Sequence, residues 1–331
     1  MAGCTADEPA WTAHDLGTDA EFRGILFLDE QSGWIVGGQP GIDGGVVGRT
    51  DDGGRTWRFQ SGLVRVSRGI SLFHLNAIHF IDADNACMVG SGGMILRSED
   101  GGDNWRVVRR GRIYSRLYDI DFIDDGRGWA VGWDFVLTTE DGGHTWSEHS
   151  ENRVDGQAVE FLSTSDGWIA SRHGTLHRTL DGGETWERID DLDVTGEPHF
   201  WDMAFVDSTH GWVVGQHGVI LCTLDGGETW ASQQSGVDAL LTSVSFVDPS
   251  EGWVVGYTRE KGTSYILHTA DGGSTWVVQT EVEGEELQAI FMMRGSGWAV
   301  GERVSRNPQQ ILRFSDHSAA TARANLAQQY R

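Results

Sequence analysis

The chain has 331 residues, with 25 basic against 49 acidic side chains and a net charge of −24. That balance argues against general nucleic-acid binding, which needs a basic footprint, and no apolar run reaches the roughly 18 residues of a transmembrane helix. Forty-six glycines, five prolines and 15 tryptophans suit many short strands joined by tight turns and wedged apart by large aromatics.

Taken in chain order, Met1-Ala2-Gly3-Cys4 and the polar residues after it resemble the end of a bacterial lipoprotein signal without its hydrophobic part. On that reading residues 1–10 are an anchor and linker, lipidated at Cys4 and tethered outside the cytoplasmic membrane. The alternative is an ordinary cysteine in a frayed terminus. Cys87 and Cys222 read as small buried apolar residues, because three cysteines make no disulfide framework.

Next comes a strand-like Trp11-Thr12-Ala13-His14, followed by a repeat of three pieces. The first piece is an apolar strand with period-two alternation: Phe22 to Phe27, Leu75 to Phe80, Leu117 to Phe122, Gly156 to Phe161, Phe200 to Phe205, Leu241 to Phe246 and Leu287 to Met292. The second is Gly-Trp-x-Val-Gly, as at Gly33 to Gly37 and Gly128 to Gly132, with worn copies at Ala86 to Gly90 and Gly167 to Ser171. The third is a short strand running into Asp-Gly-Gly-x-x-Trp, whose tryptophans 57, 105, 146, 186, 230 and 276 lie 48, 41, 40, 44 and 46 residues apart. A fixed period in the forties, with four strands per period, is the signature of a β-propeller blade.

Seven first and second strands face only six Asp-Gly-Gly turns, because Phe314-Ser315-Asp316 is not followed by the glycines and the tryptophan. The missing strand stands at the other end of the chain, around Trp11. The expected fold is all-β: a seven-bladed β-propeller of four-stranded blades over residues 11–316, its last blade closed by the N-terminal strand. Residues 317–331 form a tail, read as a short alanine-rich helix or a disordered end.

The turn sequence Ser/Thr-x-Asp-x-Gly-x-Thr-Trp matches the aspartate box of sialidases and several unrelated propellers. Its carboxylates, Asp52, Asp100, Asp141, Asp181, Asp225 and Asp271, are assigned to holding turns rather than to catalysis. The combination of motifs resembles the photosystem II assembly and stability factors of cyanobacteria and chloroplasts over residues 11 to about 316, with related bacterial propellers sharing the pattern. The resemblance implies a non-catalytic scaffold on the periplasmic or lumenal side, lipid-anchored in the cyanobacterial members. It would bind membrane-embedded photosynthetic subunits, a single copy within a larger complex, with an arginine-rich patch as one binding surface.

Residues 55–116 hold ten arginines against five acids, so this window is about +5 and the remainder about −29. Arg65, Arg68, Arg109, Arg110, Arg112 and Arg116, with Tyr114 and Tyr118, are the candidate binding set, since arginine interleaved with tyrosine is the composition of interface hot spots. An ordinary solvated surface would have the same composition. Acidic loops at Asp190, Asp191, Asp193 and Glu197, and at Glu281, Glu283, Glu285 and Glu286, make the same face bipolar. His173, His199 and His217 fall on neighbouring loops, where polar contact is the expectation over a metal site. No phosphate loop, haem attachment motif or dinucleotide fingerprint is present, so no cofactor is implied.

Two other classes stand beside the scaffold. A sialidase-like glycoside hydrolase would need a tyrosine nucleophile. The candidates are Tyr114, Tyr118, Tyr257, Tyr265 and Tyr330, while Arg23-Gly24-Ile25 does not replace the Arg-Ile-Pro signature. Asp119 and Asp202, at the third position of their inner strands, are the best carboxylate pair, with structural hydrogen bonding the stronger expectation for them. The other class is a generic extracytoplasmic binding propeller unrelated to photosynthesis.

Overall fold

A computed structural model of the chain describes residues 10–39, 42–63, 73–112, 114–149, 154–190, 192–260, 262–303 and 309–315. Cys4, Arg65, Arg68, Asp191 and the tail 317–331 lie outside the described residues. Seven four-stranded antiparallel sheets form the blades, with one short 3-10 turn, Gln216–Gly218, among the described residues. No helix there is long and apolar enough to cross a membrane.

The inner strands are Glu21–Phe27, Leu75–Phe80, Leu117–Phe122, Gly156–Phe161, Phe200–Phe205, Leu240–Phe246 and Glu285–Met293. Six blades use four consecutive strands each. The seventh runs inward from Ala10–Asp15 through Gln310–Ser315 and Ser296–Arg303 to Glu285–Met293. Trp11 pairs with Phe314 in that register, with the rings 5.3 Å apart, and its indole N–H donates to Gln279 Oε1 at 2.8 Å. The N-terminal strand therefore supplies the outer edge of the last blade, as the count of turns requires.

The core lies between blades rather than within them. Trp34, Val36 and Val47 of the first blade pack with Leu75, Ile78, Phe80, Met88 and Leu96 of the second, and similar clusters recur around the ring. The Gly-Trp tryptophans fill these seams. Trp129 stacks on Phe161 at 3.4 Å and Trp212 on Phe246 at 3.5 Å, each reaching the inner-strand phenylalanine of the next blade. The aspartate-box tryptophans are less enclosed: Trp57, Trp105, Trp146 and Trp186 are only half-buried. Cys87, at the tryptophan position of the second blade, is fully buried, and Cys222 is buried as well.

Each aspartate box is closed by its own side chains. Thr179 Oγ1 donates to Asp181 Oδ1 at 2.7 Å and accepts the Gly183 N–H at 2.8 Å. The Thr185 N–H donates to Asp181 Oδ1 at 2.9 Å, and the Thr185 hydroxyl donates to Oδ2 at 2.5 Å. These bonds from Thr185 hold the carboxyl at about 2, below its usual range. The same arrangement recurs at Asp52, Asp141, Asp225 and Asp271, and at Asp100 with Ser98 and Asn104 in place of the threonines.

Candidate interaction face

One irregularity repeats in all seven blades and shapes the end of the channel. Each inner strand slips register against its neighbour around its second apolar-strand residue, between Phe22 and Gly24, Leu75 and Ala77, Leu117 and Asp119, and so on to Leu287 and Ala289. A bulge leaves that residue unpaired and re-aims it. The seven residues so displaced are Arg23, Asn76, Tyr118, Gln157, Trp201, Thr242 and Gln288, and all of them line a cavity of about 250 Å³ at the channel mouth. The closing glycine of Gly-Trp-x-Val-Gly lets the backbone approach closely at the bulge in six blades, Ser171 taking its place in the fourth. A Cβ on Gly132 would stand 1.9 Å from the Arg116 carbonyl oxygen, and one on Gly37 would stand 1.9 Å from that of Glu21.

Four arginines ring this mouth: Arg23, Arg116, Arg172 and Arg259. The Arg23 Nε donates to Glu302 Oε1 at 2.6 Å. Arg172 lies 5.3 Å over the Tyr118 ring and donates to its hydroxyl at 3.1 Å. Arg259 stands 5.9 Å over the Tyr257 ring and 3.8 Å from Glu286. Of these arginines only Arg116 belongs to the set expected from sequence. For Arg23 the usable signal was the second position of each inner strand, where polar and large side chains interrupt the apolar pattern; Arg172 and Arg259 follow second strands and carry no such signal.

Beside the mouth, the loop after the outer strand of the second blade meets the turn Trp133-Asp134 of the third. They enclose a groove of about 750 Å³ lined by Arg109, Arg110, Arg112, Tyr114, Trp133 and Glu148. The Gly93 N–H donating to Ser115 O and the Trp133 N–H donating to Arg116 O fix the loop against its neighbours. Tyr114 is 89% exposed and Trp133 52% exposed, an unusual pair of large rings in water beside exposed Arg110 and Arg112. Tyr118 and Arg116 continue the chain from this groove into the mouth.

Arg109 differs from its neighbours. It donates to Glu148 Oε2 at 2.7 Å and to the Gly93 carbonyl at 2.7 Å, and it lies 5.7 Å over the Phe135 ring. It joins two blades rather than offering a free guanidinium. Arg97 is likewise buried, bonded to Gly142 O, Asn85 and Glu99. The basic window therefore presents fewer charges to solvent than its count of arginines suggests.

The other expected groups separate. The His173 and His199 rings lie 5.1 Å apart, whereas His217 is exposed and stands 3.4 Å from Asp238, so the three imidazoles do not form one site. Asp134, His173 and His217 occupy equivalent turns in three successive blades, each with φ between 59° and 68°, a left-handed backbone that non-glycine residues seldom adopt. Glu285, read from sequence as acidic loop surface, is in fact 4% exposed. The last inner strand starts two residues earlier than its apolar pattern, which turns this side chain inward to accept the Gln310 N–H, and burial pushes its carboxyl up to about 7.

Asp119 and Asp202 line the channel below the mouth. Asp119 Oδ2 accepts the Val159 N–H and Asp202 Oδ2 the Val244 N–H, each at 2.9 Å and each in the next blade. Asp121 to the Phe161 N–H and Glu160 to the Phe205 N–H repeat the device two residues on. Burial raises the Asp119 carboxyl to about 8 and the Asp202 carboxyl to about 6, against the backbone bonds that lower both. These acids act as hooks between inner strands.

Comparison with known proteins agrees with this architecture. The chain is 33% identical over 87 residues to the photosystem II assembly lipoprotein Ycf48 of Synechococcus sp. strain CC9902, covering 24% of this chain and 26% of that one. It is 30% identical over 213 residues to the photosystem II assembly lipoprotein Ycf48 of Picosynechococcus sp. strain PCC 7002, covering 60% of each. The matched segments thus span from about a quarter to three fifths of those relatives. A solved structure described as YCF48 bound to D1 peptide superposes with a TM-score of 0.70 at 21% identity, over 92% of this chain and 97% of that one, which speaks for the fold. The family model described as photosynthesis system II assembly factor YCF48 matches residues 4–112, 111–199, 190–280 and 230–329. With nearly the whole chain covered by that model, the protein belongs to the photosystem II assembly factor YCF48 family.

Proposed function

We propose that this protein is a non-catalytic scaffold that holds an extramembrane segment of a photosystem II subunit against its arginine-bearing face during assembly. The observation that carries the reading is the continuity of one surface: exposed Arg110, Arg112, Tyr114 and Trp133 lead through Arg116 and Tyr118 into a mouth ringed by arginines. Arginine and aromatic side chains in a partly desolvated groove supply most of the energy at typical interfaces. Their positive field, set on an acidic body, steers a negatively charged segment to that side. The structure described as YCF48 bound to D1 peptide makes a segment of that subunit the first partner to test.

Arg65 and Arg68, outside the described residues, are retained in the proposed binding set on their sequence alone. Residues 1–10 serve as a linker with the lipid carried on Cys4, residues 11–316 as the propeller and 317–331 as a tail. The anchor places the propeller on the periplasmic or lumenal side, and the relatives named as lipoproteins support that part of the reading. Hydrolysis by Asp119 and Asp202 is disfavoured because each already accepts a backbone hydrogen bond from the adjacent blade. A propeller fold by itself would allow either role.

The test is purification of the tagged native protein from photosynthetic membranes, with a variant carrying Arg110→Glu and Arg112→Glu beside it. Photosystem II reaction-centre subunits should travel with the wild type and be depleted with the variant. Equal recovery with both, or no such subunits with either, contradicts the assignment.

A further inference from the structure

Three blades meet on the mouth side of the ring, and their junction holds a cluster that the scaffold reading does not use. Glu21 opens the inner strand of the first blade, His74 directly precedes that of the second, and Glu302 lies in the Ser296–Arg303 strand of the seventh. One potential ligand atom from each lies within 4.8 Å of the other two, the only such group of three found among the described residues. None of the three is read from sequence as a metal ligand, because they are separated by 53 and 228 residues and belong to no repeated motif.

The imidazole is the telling member. His74 is 5% exposed, and its Nδ1 is wholly buried without a hydrogen-bond partner. A buried polar nitrogen left in that state is costly unless something completes its coordination. Its backbone is pinned, with His74 N–H donating to Ser91 Oγ at 3.2 Å and His74 O accepting the Ser91 N–H at 2.9 Å, so the ring cannot easily turn away. Gly38, paired with Glu21 across the first blade, admits the ring: a Cβ there would stand 2.9 Å from Nδ1.

The carboxylates are held in place as well. Arg23 already holds one oxygen of Glu302 at 2.6 Å, an orienting bond of the kind that supports metal-binding carboxylates. Arg303, another nearby cation, stands 2.8 Å from Asp19.

We propose that Glu21, His74 and Glu302 form a binding site for one divalent transition-metal ion of the zinc class, clamping the first, second and seventh blades together. One imidazole and two carboxylates are a nitrogen–oxygen donor set suited to such ions, with a further position for water. Glu302 and Arg23 also line the channel mouth, so the ion would make that rim more positive. The proposal is independent of which partner the face holds.

The experiment uses the whole chain, stripped with a chelator and dialysed, then titrated with Zn²⁺ by calorimetry and with Co²⁺ by visible absorption. Wild type should take up one Zn²⁺ per chain, show a ligand-field band with Co²⁺ and melt at a higher temperature with metal. Glu21→Gln and His74→Gln should each weaken uptake by roughly ten-fold or more, while the double variant His173→Ala/His199→Ala binds as wild type does. Should His74→Gln fail to fold, Glu21→Gln, on a half-exposed side chain, carries the test alone. Absence of saturable binding, or uptake unaltered in Glu21→Gln, overturns the site.

Discussion

Trp298 of the last blade lies flat on Phe27 of the first, with ring centroids 3.6 Å apart and planes 9° from parallel. Its indole N–H donates to the Gly53 carbonyl at 3.0 Å, inside the aspartate box of that first blade. The seam that closes the ring is therefore built like the seams at Trp129 and Trp212, whose indoles donate to Gly182 and Gly272. Trp298→Ala should cost about 3–5 kcal/mol, the range for a large aromatic removed from a packed core. Trp57→Ala, on a half-buried ring, should cost less than half of that. Urea denaturation of the two variants measures the difference, and equal losses would place the core within blades instead of between them.

The N-terminal strand should be as much a part of the fold as any other. Trp11→Ala is expected to lower stability by about 2 kcal/mol, since the ring is partly buried and gives up contact with Phe314 and a bond to Gln279. Deleting residues 1–16 should lower it further, by exposing both the seventh sheet's edge and the core beneath it. Thermal melting of the truncated chain checks this, and an unaltered melting temperature would mean that the ring closes without the strand.

The channel acids predict a pH dependence of definite sign. Asp119 has a folded pKa raised to about 8, above its unfolded value, so the folded state binds more protons between pH ~4 and ~8. Stability from this group is greatest at the acidic end of that range and falls as pH rises toward 8. Asp119→Asn keeps an oxygen for the Val159 N–H but loses the titration. Its unfolding free energy from urea denaturation should match wild type near pH 4 and exceed it at pH 8, by several kcal/mol. Aspartate boxes act oppositely: Asp181, held at about 2, contributes stability above pH ~4 that is lost as pH falls through its folded pKa.

How far the amino-acid sequence disclosed this molecule depends on the range of the contacts involved. The blade count, the ring closure around Trp11 and the aspartate-box bonds follow from local motifs repeated six or seven times. Arg109 could not be told from Arg110 in that way, because its partner Glu148 is 39 residues away on another blade. Arg23 and the other bulge residues at the mouth escaped for a different reason. A bulge in each inner strand re-aims its second residue, and a period-two pattern carries no mark of the slip, although the glycines that accompany it in six blades, such as Gly132, are plain in the sequence. Glu285 was misplaced because a strand that runs past its apolar pattern buries a charged side chain against expectation.

That distinction between adjacent arginines can be tested. Arg109→Glu should destabilise the fold, by about 2–4 kcal/mol, because it sets a second carboxylate beside Glu148 and abandons the Gly93 carbonyl. Arg110→Glu and Arg112→Glu, on exposed side chains, should leave the melting temperature within a degree or two. Identical melting behaviour in all three variants would show that Arg109 is not the tie between blades described above.

The central claim is tested most directly by the affinity of the whole chain for a synthetic D1 peptide, compared between wild type and the Arg110→Glu/Arg112→Glu variant. Saturable binding that weakens with salt, and that falls by roughly ten-fold or more in a variant with unchanged melting, is the predicted result. Wild type that does not bind the peptide, or a variant that binds it equally well, would contradict the assignment of this face.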